Sequence, residues 1–370
     1  MRKPTRTKSP GKYDALTSPA TSEQRKPKLD VHAAVTAKIV AAIAAGAGEF
    51  QLPWHRPGVA FSIPKNALTD KPYRGSNILS LWIDADAKKF EHQIFATYKQ
   101  WQEMKAQVRG GEKGSLIVKY GEWTPKNDRE AAGQDSHGDN DGEDAAKRLY
   151  AKAAWVFNID QVDLPAELRA KLLPATAPRP DLTERLAHVD AFIAATQAEF
   201  REGGQRAFYR HRGMNGEGDF IQMPPRNLFT GTTTSTPTES YESTRLHELS
   251  HWAGAEHRLN RKFGERFGDK EYSFEEIIAE LSASFLCAEL EISNTPRADH
   301  AQYIAHWLEI LKSDSKAIFT AASQASRTVE YLMALQDKGR PAPRPDVDAG
   351  PERPGASPPS ATAESAEGPR

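Results

Sequence analysis

The chain has 370 residues, room for two ordinary domains with tails. With 38% hydrophobic and 27% charged residues it suits a soluble protein carrying long polar segments, and no 18-residue apolar stretch exists to cross a membrane. The formal net charge of −1 selects no partner class, and a single cysteine, Cys287, rules out an intrachain disulfide and fits a reducing cytoplasm.

Residues 1–29 hold eight Lys/Arg against Asp14 and Glu23, with four prolines, and read as a disordered basic tail. No apolar run follows these charges, so no signal peptide is expected. Asp30 is a helix cap, and Val31, Val35, Ile39 and Ile43 recur every four residues up to Gly46, which predicts an amphipathic helix with one buried stripe. A loop-rich stretch follows through Trp54, His55 and Arg56 to Tyr73, Arg74 and Gly75. Helices are predicted from about Asn77 to Ala87 and from Tyr98 to Val108, then a Gly110–Gly114 turn and a strand at Leu116 to Val118. Residues 127–147 carry seven acids against Arg129 and Lys147 and read as a mobile insertion. A second strand, Leu149 to Asn158, follows, so the pair is expected to form a hairpin with an expanded turn.

Prolines at 165, 174, 178 and 180 mark residues 166–181 as a linker. Beyond it the sequence predicts a helix over Leu182 to Phe200, short strands at Phe208-Tyr209 and Asp219 to Met223, and helices over Glu242 to Ala253, Phe274 to Leu290 and within Tyr303 to Gln336. Residues 338–370 hold eight prolines and little apolar mass and read as a disordered tail.

The sharpest motif is His247-Glu248-Leu249-Ser250-His251. On a helix, positions i and i+4 share a face, so two imidazoles aim at one point and can hold one divalent ion, most naturally Zn2+. Such an ion polarises a carbonyl, while Glu248 takes the role of general base, moving the proton of an attacking water. A third ligand is needed. Glu276 and Glu280 lie four apart on a downstream helix, where one can bind the metal and the other orient a histidine; the reading leans to Glu280. His257 competes, because His247, His251, Gly254 and His257 match the longer H-E-x-x-H-x-x-G-x-x-H pattern, with Gly254 turning the chain. That pattern also needs a methionine turn, and Met333 sits in a helical run without turn chemistry. Asp219 to Met223 is expected to be an edge strand along the cleft, suited to pairing with an extended peptide. Tyr209 or Tyr241 is a candidate donor to an oxyanion.

Residues 53–123 interleave aromatics with cations, the composition that stacks bases and tracks phosphates of single strands. Trp82 and Trp101 fall on helical apolar faces and read as core. Trp54, Arg56, Tyr73, Arg74, Asn77, Lys99, Arg109 and Lys113 are the candidate contacts to single-stranded DNA.

Several motifs occur in order: Val35-Thr36-Ala37-Lys38-Ile39, Pro53-Trp54, Pro64 to Ala67, Pro72 to Asn77, Thr97 to Gln100 and Val108 to Gly114, then Ser243 to Trp252, Arg258 to Arg261, Glu275 to Glu280 and Phe285 to Ala288. Together they resemble the ArdC antirestriction proteins and the related N-terminal region of TraC plasmid primases, over about Asp30 to Leu290. The resemblance implies an α+β fold in two domains. An N-terminal single-stranded-DNA-binding domain would occupy 30–165 and a C-terminal zincin-like metallopeptidase domain 182–337, with disordered tails outside them. It also implies a bacterial cytoplasmic protein of a plasmid or other mobile element. Its role would be to protect incoming DNA from host restriction. Read as an enzyme, the chain would be a metal-dependent peptidase tethered to DNA, with a host restriction or other DNA-bound protein as its substrate. The resemblance favours a downstream glutamate over His257. The sequence departs from the family at Glu242, where a second tyrosine is common, and in the long acidic insertion. Two other functions remain open at this point: a non-catalytic DNA-binding protein with a structural or vestigial metal site, and a primase accessory protein.

Overall fold

The computed structural model describes residues 30–46, 62–123, 148–173, 182–212, 218–231, 236–261, 270–292 and 300–338. Trp54, Arg56, the basic tail, the acidic insertion, the end of the linker from residue 174 and the proline-rich tail from residue 339 lie outside them.

The first helix, α1 (Val31–Gly46), forms as its sequence requires. The Asp30 carboxylate accepts from the backbone N–H groups of His32 and Ala33 at 3.0 and 3.1 Å, filling two orphan donors of the first turn. Val31, Val35, Ile39 and Ile43 are all buried. Then come β1 (Lys65–Asn66), α2 (Ser76–Lys88), β2 (Ile94–Thr97) and α3 (Tyr98–Glu103). A capping box starts α3, with the Gln100 N–H donating to Thr97 Oγ1 and the Thr97 N–H to Gln100 Oε1. The helix predicted to reach Val108 ends early. Lys105 takes a left-handed φ of 59°, and Gln107–Val108 becomes β3, paired antiparallel with β6 (Val162–Asp163).

The expected hairpin is present as β4 (Ser115–Trp123) and β5 (Arg148–Asn158), in register from Ser115 opposite Val156 to Trp123 opposite Arg148. These strands close a four-stranded sheet of order β1-β2-β5-β4. The linker reading needs correction, because residues 166–172 form a helix, α4 (Ala166–Leu172), whose Leu168 and Leu172 pack on the cluster around Trp101.

In the C-terminal part, α5 (Leu182–Thr196) stops before Phe200, which instead opens β7 (Phe200–Glu202). With β8 (Phe208–Arg210) and β9 (Phe220–Met223) it makes a sheet of order β7-β9-β8. The strand expected at the edge is therefore central. Both sides of β9 carry partners, parallel β7 and antiparallel β8, so it has no free ladder for a peptide. Among the described residues four helices follow, α6 (Pro237–Gly254), α7 (Lys270–Glu289), α8 (His300–Ser313) and α9 (Ala317–Lys338). None of the described helices is long and apolar enough to cross a membrane.

The two parts share one core. A single apolar cluster joins Val35 and Ile39 of α1, Leu79 and Trp82 of α2 and Val118 of β4 to Ile278, Leu281 and Phe285 of α7, Leu311 of α8 and Ile318 of α9. Trp82 and Phe285 meet edge to face, with ring centroids 5.7 Å apart. The other side of α7, through Ala283, Leu286, Cys287 and Leu290, packs with α5, α6 and the β7-β9-β8 sheet. Helix α7 is thus buried on every side from Glu275 to Ala288. Because both parts own this core, calorimetry is expected to give one cooperative unfolding transition. Phe285→Ala should cost about 3–5 kcal/mol and lower that single transition as a whole. Two resolved transitions, with only the later-melting or earlier-melting one moved by the substitution, would show separate cores.

Candidate metal centre

Helix α6 begins with a second capping box, between Thr236 and Glu239, with Pro237 at its first helical position. From there the helix presents His247 and His251 to the buried face of α7. The two Nε2 atoms stand 3.2 Å apart. Glu276 completes the group, with its Oε2 3.5 Å from His247 Nε2 and its Oε1 3.4 Å from His251 Nε2. All three side chains are buried, and their ligand atoms lie within 4.8 Å of one another. Two donors about 2.1 Å from a tetrahedral ion stand roughly 3.4 Å apart, so these separations fit one divalent cation.

Each imidazole is backed by a second carboxylate on its other nitrogen. Glu275 Oε1 lies 3.1 Å from His251 Nδ1, and Glu280 Oε2 lies 3.5 Å from His247 Nδ1. The Glu275 hydrogen bond fixes the His251 ring and its tautomer, while Glu280 approaches the His247 ring at ion-pair distance without a hydrogen bond to it. The structure therefore sets Glu280 on the far nitrogen of His247 and Glu276 between the two near ones. Burial opposes a charge on His251, but Glu275 and Glu276 outweigh it and push its pKa up to about 10, so a proton and a cation compete for that ring. The carboxyl of Glu276 is held well below the usual range, burial being outweighed by the two histidines. Glu248 is buried in the same helical turn.

His257 does not join this group. Its side chain is 51% exposed and its Nε2 lies 3.8 Å from Asp219. Gly254 is not a turn toward it, since it ends α6 without a left-handed φ. A Cβ there would sit 2.6 Å from the Arg261 guanidinium, so the glycine makes room for that side chain. Buried Arg261 donates to Glu275 from Nε and Nη2, to the Ser250 carbonyl and to Thr328 Oγ1. Arg261 and Glu275 are the functional residues that motif reading passed over, although both stand inside segments that carry the family resemblance. His211, just after β8, stacks edge to face on Tyr209 and feels the charge of His251. Burial and the charge of His251 hold its pKa below the ordinary value.

Both tyrosines considered as oxyanion donors have other contacts. The Tyr209 hydroxyl donates to Asp219, and Tyr241 packs between Phe229 and the Arg226 guanidinium.

The candidate DNA contacts divide. Lys99, Arg109 and Lys113 are exposed, though Arg109 pairs with Glu112. Arg74 is exposed but paired with Glu330 at 3.0 Å. Tyr73 is a packing residue, edge to face with Phe95. Asn77 is a structural clamp. Its amide donates to the Val118 carbonyl and accepts from the Val118 N–H, which leaves little for a nucleotide.

Comparison with known proteins agrees with this architecture. Residues 29–157 match the N-terminal domain of anti-restriction factor ArdC, and residues 187–324 match a zincin-like metallopeptidase domain. The chain is 41% identical to the uncharacterized protein y4eC of Sinorhizobium fredii, over 83% of this chain and 92% of that one. It is 32% identical to the Escherichia coli DNA primase TraC over 86% of this chain, but spans only 28% of the primase. Among solved structures it resembles the antirestriction protein ArdC of plasmid R388, at 32% identity. The metal-free form gives a TM-score of 0.64, covering 85% of this chain and all of that one, and the Mn(II)-bound form gives 0.63 over 84%. With both domains matched in order and a relative of this identity covered end to end, the chain belongs to the ArdC family of antirestriction proteins.

Proposed function

We propose that this protein binds single-stranded DNA through its N-terminal region, and that its His247, His251 and Glu276 hold one divalent cation as the centre of a peptidase site. It thereby protects the incoming DNA of a plasmid or other mobile element from host restriction. The observation that carries the metal reading is the closely spaced, buried His247–His251–Glu276 group, with Glu275 and Glu280 behind the rings. Zinc suits two imidazoles and a carboxylate. The Mn(II) form of the R388 protein supports a divalent ion in general.

A bound cation would supply Lewis-acid polarisation of a scissile carbonyl. The chain's own groups do the rest. Glu248 takes a proton from the attacking water and passes it to the leaving amine. Glu275 keeps the His251 ring turned so that its Nε2 faces Glu276, and the Glu280 carboxylate lies on the far side of the His247 ring. The substrate is a restriction or other DNA-bound protein, brought close by the DNA-binding region. The single-strand reading rests on the match to the ArdC N-terminal domain, on the TraC relatives and on the exposed cations Lys99, Arg109 and Lys113.

Metal analysis separates the two glutamates. Glu276→Ala and His251→Ala should lose the roughly one equivalent bound by wild type, whereas Glu280→Ala should keep it with affinity about 10- to 100-fold lower. The reverse order would exchange their roles. Glu248→Gln should retain the metal and lose protection along with any cleavage of a target protein. Retained protection would leave a DNA-binding protein whose metal site is structural. For DNA, a double substitution Lys99→Ala with Lys113→Ala should lower the slope of log K against log salt by up to about 1.4 for single strands, since each phosphate that a lysine neutralises contributes about 0.7. An unchanged slope would remove both lysines from the interface.

A further inference from the structure

Where α1, β4 and α9 meet, away from the metal centre, the surface folds into a cleft of about 300 Å³ lined by His32, Tyr120, Lys316, Phe319, Thr320 and Ser323, with Gln324 at its end. We infer that this cleft seats one nucleotide of a single strand, its base against the aromatic rings and its phosphate at Lys316. The inference rests on the single-strand reading above and gives it an address that includes the peptidase-like half of the molecule.

Three rings converge there. His32 lies edge to face with Phe319, their centroids 4.7 Å apart, and 6.3 Å from the Tyr120 ring. The Tyr120 hydroxyl is 3.4 Å from His32 Nε2, which steadies the tyrosine while its ring stays 52% exposed. A half-exposed tyrosine held by one edge keeps a face open for stacking, and every base offers a π-face to it. The walls add hydroxyls from Thr320 and Ser323 and an amide from Gln324, groups that can read sugar and base edges. No carboxylate lines the cleft, and Lys316 makes no ion pair among the described residues. An unpaired cation beside the open face of Tyr120 selects an anionic, ring-bearing ligand over an apolar peptide. The positive ends of two long helices, α1 and α9, also lie here, although Asp30 already serves the first turn of α1. A volume of about 300 Å³ is at the small end for ligand sites, which suits a single nucleotide unit and not a longer segment.

Sequence reading named no DNA contact beyond Lys113. Tyr120 follows it on β4, while Phe319 and Thr320 belong to α9 and Lys316 to the turn just before it, inside the matched metallopeptidase segment.

The test uses the full-length protein with labelled dT20 and an abasic strand of the same length, read by fluorescence anisotropy. Tyr120→Ala should weaken dT20 about five- to a hundredfold, the range for removing one stacking partner, and barely affect the abasic strand. Tyr120→Phe should restore most of the dT20 affinity. Lys316→Ala should weaken both strands alike and flatten the salt dependence. Ultraviolet crosslinking of 5-iodouracil-substituted dT20, mapped by mass spectrometry, should land on His32, Tyr120 or Phe319. Both substituted positions are at the surface or partly so, and unchanged melting of the variants shows that folding is intact. If wild type binds dT20, and neither alanine variant changes affinity while crosslinks map elsewhere, this cleft is not the site and the single-strand reading stands without it. If wild type binds no single strand at any salt concentration, both readings fail together.

Discussion

A guanidinium and a carboxylate taken out of water lose several kcal/mol of hydration each, and the loss is recovered only if every donor and acceptor finds a partner. Arg261 and Glu275 meet that condition. The arginine grips the carboxylate from Nε and Nη2 and directs its remaining donors to the Ser250 carbonyl and the Thr328 hydroxyl. Glu275 in turn stands at His251 Nδ1. The pair therefore joins the metal helix α6, the glutamate helix α7 and the last helix α9 at one point, and the orientation of a candidate ligand ring depends on it. Truncating either partner would strand a buried charge at a cost of about 3–5 kcal/mol. Gly254 is part of the same arrangement, because any side chain there would occupy the space of the guanidinium.

That junction is rigid because α7 has no solvent-facing side over its middle. One face carries Ile278, Leu281 and Phe285 into the core shared with α1, α2 and β4, and the other carries Leu286 and Leu290 toward α5 and α6. A helix so enclosed cannot rotate to offer Glu280 in place of Glu276 without emptying well-packed space on both sides. Stability and the placing of Glu276 beside the two rings thus have one cause. The same enclosure explains why the two family segments are not independent beads on a string, since the N-terminal part completes the apolar surroundings of the helix that holds the acids.

Local signals were legible and non-local ones were not. The stripe of Val31, Val35, Ile39 and Ile43, the Asp30 cap and the His247–His251 pair depend on neighbours a few residues away, and sequence periodicity carries them; the β4–β5 hairpin was legible because its two strands are consecutive along the chain. The failures depend on partners far along the chain. Trp101, Met104 and Val108 keep a helical spacing, yet the left-handed Lys105 and pairing with β6 turn the last of these into strand. Central or edge position for β9 is decided by β7 and β8, not by its own residues. Arg74 reads as a free loop cation until Glu330 of α9 is found beside it. Glu276 and Glu280 share a helical face, and which of them reaches Nε2 is set by the approach of α6 to α7, which no spacing rule encodes.

Helix α9 is the element on which these threads meet. At its start it lines the aromatic cleft with Phe319 and Thr320, next to Lys316 of the preceding turn. One turn beyond Gln324, the Thr328 hydroxyl donates to the Gln324 carbonyl at 3.0 Å and accepts from Arg261 at 2.7 Å. Further on, Glu330 holds Arg74 and Ser326 accepts from the Gly75 N–H, in the family motif of the N-terminal half. From the cleft to His251 the path is a few hydrogen bonds long, through Gln324, Thr328, Arg261 and Glu275, all of it between packed helices. Proximity alone is not coupling. It does fix the form any coupling must take: a ligand that shifts α9 acts on the ring of His251 through the Arg261 guanidinium, and a cation on that ring acts back on the cleft by the same free energy.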